Sequence, residues 1–187
     1  MLGCDPPGSR KDLGMRILLQ VVRRAAFAIA LVSIAAPTAR AGTPRPVVVH
    51  DMSFINFSQE VDYGARNEAE HARIAMLSDY FRELLEESHR YRLIDPAPLA
   101  EDLRKHGEVF TCNHCEAAMA RKLGAELSFS GAVQKLSVLV QTVVVRVRDA
   151  ESGEIVALYQ TDIRGNTDIA WKRGLRFLVE ERLNALP

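Results

Sequence analysis

Aromatic residues are scarce: they fill 6% of the 187 positions, and Trp171 is the single tryptophan. A platform that stacks the successive bases of a single strand needs more than that. Charge of one sign is not in excess. Lys plus Arg and Asp plus Glu number 24 each, for a formal net charge of zero, which excludes a strongly basic nucleic-acid binder. A membrane-spanning helix needs about 20 apolar residues, and the uncharged apolar run Ala25 to Ala36 has 12. No Gly-rich loop follows the first predicted strand, so both nucleotide fingerprints are missing. No serine sits in a G-x-S-x-G elbow. There is no internal repeat and no sign of a second domain. Cysteine occurs three times, as Cys4, Cys112 and Cys115.

What is present begins with an address. Arg16, Arg23 and Arg24 precede the apolar run, and Pro37 and Ala39-Arg40-Ala41 follow it. This is the layout of a cleaved secretory signal peptide over residues 1–41, with Met15 as the expected start. Residues 42–187 are then one secreted domain, expected in the periplasm with no stable membrane insertion. Removing residues 1–41 takes away six basic and two acidic side chains, which leaves 18 against 22 and a net charge of −4. That balance points away from nucleic acid and anionic lipid.

The remaining chain alternates elements. Val47 to Phe54 reads as an interior strand, followed by a polar loop over 55–66. Asn67 with Glu70 forms a capping-box pattern, and Ile74, Leu77, Ser78, Phe81, Leu84 and Leu85 mark one buried helical stripe. Tyr91 to Ile94 reads as a strand and Pro98 to Lys105 as a short helix. Asn113 with Glu116 repeats the capping pattern ahead of a helix that ends at Gly124. Strands follow over 127–135, 138–148 and 154–164, with Ile155, Ala157 and Tyr159 on one face and a turn over 149–153. Asn166 or Thr167 caps a last helix, whose stripe is Leu175, Leu178, Val179, Arg182 and Leu186. The fold class is α/β (α+β), ordered β-α-β-α-β-β-β-α. It predicts a single mixed five-stranded sheet with helices packed on it. The first three strands should be parallel, with right-handed crossovers, and the last three antiparallel.

Cys112-Asn-His-Cys115 is the sharpest local motif. After cleavage these are the two cysteines left, and an even pair in an oxidising compartment reads as a disulfide. Cys115 falls in the first turn of a helix, where a thiolate is favoured. A structural clip and a thiol-disulfide redox site are both open readings. A metal carrier using Cys112, Cys115, His114 and His106 is a third, although no second paired motif stands at zinc spacing. A covalent haem site is disfavoured because Glu116, not histidine, follows Cys115. His50-Asp51 closes the first strand, where ligands gather in parallel sheets, but adjacent strand residues point to opposite faces. His71 and His89 are expected to face solvent. Trp171, beside Lys172 and Arg173, is either a core filler or a partner's anchor. The hairpin formed by the last two strands offers an edge that another strand can join.

Several of these strings occur together in order. They are His50-Asp51, Tyr91-Arg-Leu-Ile-Asp95, Cys112-Asn-His-Cys115, Lys122-Leu-Gly-Ala-Glu126, Ser130-Gly131, Arg164-Gly165-Asn166-Thr167-Asp168 and Trp171-Lys-Arg-Gly174. In them the chain resembles a family of small secreted proteobacterial proteins defined by a domain of unknown function. More distantly it is similar to the periplasmic α/β domains of the curli-secretion channel and of the Tol-system propeller protein. Those families bind other envelope proteins and are not enzymes. The resemblance therefore implies a soluble accessory protein with an envelope-protein partner, no catalytic residue and no cofactor. Asp51, Arg164 and Trp171 are the candidate interaction residues. The alternative function is thiol-disulfide exchange at Cys112 and Cys115.

Overall fold

A computed structural model describes residues 43–58 and 65–186. The expected signal peptide lies outside the described residues, as do residues 59–64, half of the expected 55–66 loop. Residues 42–187 form one unit.

The sheet runs β3-β1-β4-β5-β6, with a further strand, β2, beside β4. The strands are β1 (Arg45–Val49), β2 (Ser53–Asn56), β3 (Tyr91–Leu93), β4 (Leu127–Lys135), β5 (Val140–Asp149) and β6 (Ile155–Arg164). The helices are α1 (Ala65–Glu87), α2 (Ala100–His106), α3 (Cys115–Lys122) and α4 (Asp168–Glu181). β1 pairs in parallel with β3 and β4, while β4, β5 and β6 are antiparallel, as the connections predict.

One expected strand is two. Between Val49 and Ser53 the chain advances four residues while its partner β4 advances three, from Phe129 to Ala132. One extra residue reverses which side chains face which way. Val47 and Val49 of β1 enter the main core, whereas on β2 it is Phe54 that packs there. His50, Asp51 and Met52 fall in the kink.

Helices pack on both faces of the sheet. Leu77, Phe81 and Leu85 of α1 and Trp171, Leu175 and Leu178 of α4 pack with Phe129, Val143, Val145 and Val147 on one side. On the other, Ala120 of α3 meets Val48, Ala125 and Ala150, small side chains that let helix and sheet approach closely. α4 approaches just as tightly at Gly174. A Cβ there would lie 2.6 Å from Ile163 Cγ2 and 3.3 Å from Val143 Cγ2. Both are methyls on stiff β-branched side chains. Gly174→Ala is therefore expected to destabilise by about 1–2 kcal/mol, overpacking outweighing the helix gain. The urea midpoint should fall accordingly.

Several local expectations need correction. Thr167 caps α4 by accepting from the Ala170 amide. α1, however, opens at Ala65, before Asn67, and α3 is entered through His114 with no side-chain cap. Ile155 is exposed rather than inward beside Ala157, because a bulge opposite Val147 and Arg148 shifts the register. On α4 the buried stripe includes Trp171 and excludes Arg182, which lies exposed beyond the helix end. The 149–153 turn forms as expected. Amides of Ser152 and Glu151 donate to Asp149, and the Ser152 bonds chiefly hold its carboxyl below the usual range.

Candidate functional site

The kink at His50–Met52 lies at the carboxyl end of β1, the place where open α/β sheets hold ligands. A cavity of about 210 Å³ opens there. His50 and Asp51 of the kink, Arg82 of α1, and Leu103, Gly107 and Val109 line it. α1 holds the kink in place. The Met52 amide donates to Ser78 Oγ at 2.9 Å, and the Arg82 guanidinium pairs with Asp51. Asp51 is exposed, whereas His50 is buried behind α3.

His50 Nε2 lies 3.3 Å from the backbone oxygen of Glu116 and, facing an acceptor, must carry the proton. Nδ1 is then a bare acceptor, buried and without a partner. Burial is the main reason that the His50 pKa sits below 6.5. The unfolded chain therefore takes up this proton before the folded one does. Stability should be complete above pH 6.5 and decline as pH falls from there toward the folded pKa. Thermal melting across that window checks the sign, and His50→Gln should flatten this part of the profile.

Behind His50 stands a buried ionic cluster. The Glu116 side chain is fully buried. Its Oε1 takes Arg146 Nη2 at 2.6 Å and Arg148 Nε at 2.8 Å. Arg148 Nη1 also donates to the Gly153 oxygen, and Arg146 Nη2 to that of Phe110, whose ring its guanidinium covers at 4.4 Å. Burial works against the charge on Arg146, and Glu116 works for it.

The thiol pair adjoins this cluster. The sulfurs of Cys112 and Cys115 are bonded, with Cα atoms 5.7 Å apart. Cys112 is half-buried and Cys115 buried. Cys112 Sγ lies 3.4 Å from Glu116 Oε2. His114 between them takes a left-handed conformation, φ 66°, that turns the chain into α3. His114 and His106 are exposed and do not join the thiols. Among the described residues the group with metal-ligand spacing is Cys112, Cys115 and Glu116. Bonded sulfurs are not thiolates, and Glu116 Oε1 is taken by two arginines, so this arrangement suits a metal poorly.

The family DUF3280, described as "Protein of unknown function (DUF2380)", matches residues 45–183. The chain belongs to the DUF3280 family. No curated protein matches it. Solved structures similar to this DUF3280 chain include the LpoB C-terminal domain from Salmonella enterica. It is 14% identical, with a TM-score of 0.46 over 65% of this chain and 83% of that one. Lipoprotein GNA1162 from Neisseria meningitidis is 15% identical, with a TM-score of 0.44 over 77% of this chain and 100% of that one. The hypothetical protein CT253 from Chlamydia trachomatis is 16% identical, with a TM-score of 0.47 over 76% and 97%. Likeness this distant carries no functional argument. The similarity to curli-secretion and Tol domains gains no support from these comparisons.

The candidate interaction residues of this DUF3280 chain are scattered. Asp51 sits at the cavity and Arg164 at the exposed end of β6. Trp171 is wholly buried, donating from Nε1 to Gln141 Oε1 at 2.6 Å, with Arg73 over its ring. It fills the core and offers no surface to a partner. His71 and His89 are exposed, as expected. The Glu116 cluster was not expected. Its one sequence signal is an acidic residue on a helix alongside two arginines alternating on a strand. Among the described residues no helix is long and apolar enough to cross a membrane.

Proposed function

We propose that this protein is an exported, non-enzymatic accessory protein that acts in the cell envelope by taking an extended segment of a partner protein onto β6. The export pattern in residues 1–41 supports the compartment. The observation that carries the contact is the edge itself. β6 ends the sheet order, so alternate amides and carbonyls face away from β5 and are open to a further strand. The first half of its exposed face is apolar, with Val156 and Leu158 exposed to 46% and 54%, and the second half is polar, with Gln160, Asp162 and Arg164. A groove of about 360 Å³ runs beside it, and its lining includes Asp162, Ile163, Arg164, Ala170, Arg173 and Phe177. Arg164 and Arg173 outnumber Asp162 there and match a segment carrying acidic side chains.

A photo-reactive residue placed at Gln160 tests this in the native envelope. A discrete cross-linked species is expected, and Leu158→Lys should abolish it without lowering the melting temperature. Cross-linking that is absent, or unaffected by Leu158→Lys, overturns the reading.

A further inference from the structure

We propose that Cys112 and Cys115 form a redox-active pair whose dithiol form is held by Glu116, with a thiol as the electron donor. Nothing in this depends on the β6 edge, so the two ideas fail separately.

The argument starts from a buried oxygen. Both carboxylate oxygens of Glu116 are out of reach of solvent and need donors. Oε1 has two, from Arg146 and Arg148. Among the described residues the partner of Oε2 is Cys112 Sγ, at 3.4 Å, and a disulfide sulfur has no proton to give. In the dithiol form, the Cys112 S–H is the missing donor. The hydrogen bond thus exists on one side of the redox couple alone. It draws the equilibrium toward the dithiol, and because its acceptor is ionised it is of the stronger kind. A second feature acts in the same direction. Cys115 opens α3, an eight-residue helix whose first-turn amides favour it as a leaving thiolate.

Exposure gives the order of events. Cys112 is the more exposed residue of the two. A donor thiolate attacks Cys112 Sγ, the Cys112–Cys115 bond breaks, and Cys115 leaves as a thiolate that takes a proton from solvent. A second donor thiolate attacks the donor sulfur of the mixed disulfide and releases Cys112. The Cys112 thiolate takes up the second proton and presents it to Glu116 Oε2. Two donor thiols lose two electrons and two protons and become one disulfide, and the protein disulfide becomes a dithiol. Glu116 is a positioning residue in this exchange, since it touches the sulfur without itself being bonded or reduced.

Equilibration of the exported protein with graded ratios of reduced to oxidised glutathione tests this, with acid quenching and thiol counting by alkylation and mass spectrometry. The wild-type pair is expected to become mostly dithiol in excess reduced glutathione. Glu116→Gln keeps a carbonyl oxygen for the arginines and turns an amide N–H toward Cys112. It should shift the equilibrium about tenfold toward the disulfide. A wild-type pair that stays oxidised is a structural clip, and that result overturns the proposal. So does a folded Glu116→Gln protein with no shift. If that variant does not fold, infrared spectroscopy of the reduced wild type serves instead. One S–H band should be displaced to lower frequency and should vanish in Cys112→Ser. Two undisplaced bands would rule the proposal out.

Discussion

Replacing Glu116 with alanine is expected to cost about 3–5 kcal/mol of folding stability. Alanine is a better helix former than glutamate, so the local effect on α3 runs the other way. The loss comes from what remains. Arg146 and Arg148 are both largely buried, and Glu116 is the carboxylate they share. Their bonds to the oxygens of Phe110 and Gly153 supply acceptors but no opposite charge. A buried charge stripped of its counter-ion is among the costlier defects a point mutation can make. Urea unfolding at neutral pH measures it. A cost below about 1 kcal/mol would mean that the arginines reach solvent freely in the variant.

The second large effect is expected at Lys135→Met. Lys135 Nζ and Glu70 Oε1 are 2.8 Å apart, with both side chains inside the protein. Asn166 Nδ2 donates to the same oxygen. Removing the ammonium leaves a carboxylate between α1 and the sheet, at a cost of about 3–5 kcal/mol. The double variant Lys135→Met with Glu70→Met removes both charges. It should recover most of the loss, because an apolar pair of similar volume is often as stable as the buried ions. Additive losses in the two single variants and the double would refute this account.

These two glutamates also show where the sequence was legible and where it was not. Periodicity located the strands and helices, because a valine triplet and an i, i+3, i+4, i+7 stripe are statements about burial that hold locally. Strand direction followed from connection length. The roles of Glu70 and Glu116 did not follow. Each stands three residues after an asparagine, a local pattern for helix capping. Each instead points inward to a cation 65 residues away in one case and 30 and 32 in the other. A cap is decided by near neighbours, whereas a buried ion pair is decided by the tertiary fold. The kink at His50 escaped for a related reason. A one-residue bulge changes which side chains face inward without altering the composition of the run. The Cys112–Cys115 pairing was legible, because two cysteines remain to pair once residues 1–41 are removed. The carboxylate beside it was not, since its orientation depends on Arg146 and Arg148 of β5.

Ser78 and Arg82 stand one turn apart on α1 and grip consecutive residues, Met52 through its amide and Asp51 through its carboxylate. The step between β1 and β2 thus hangs from a helix and not only from a neighbouring strand. His50, next in the chain, meets the backbone oxygen of Glu116 on α3, so one short segment of three residues is tied to a helix on each layer of the protein.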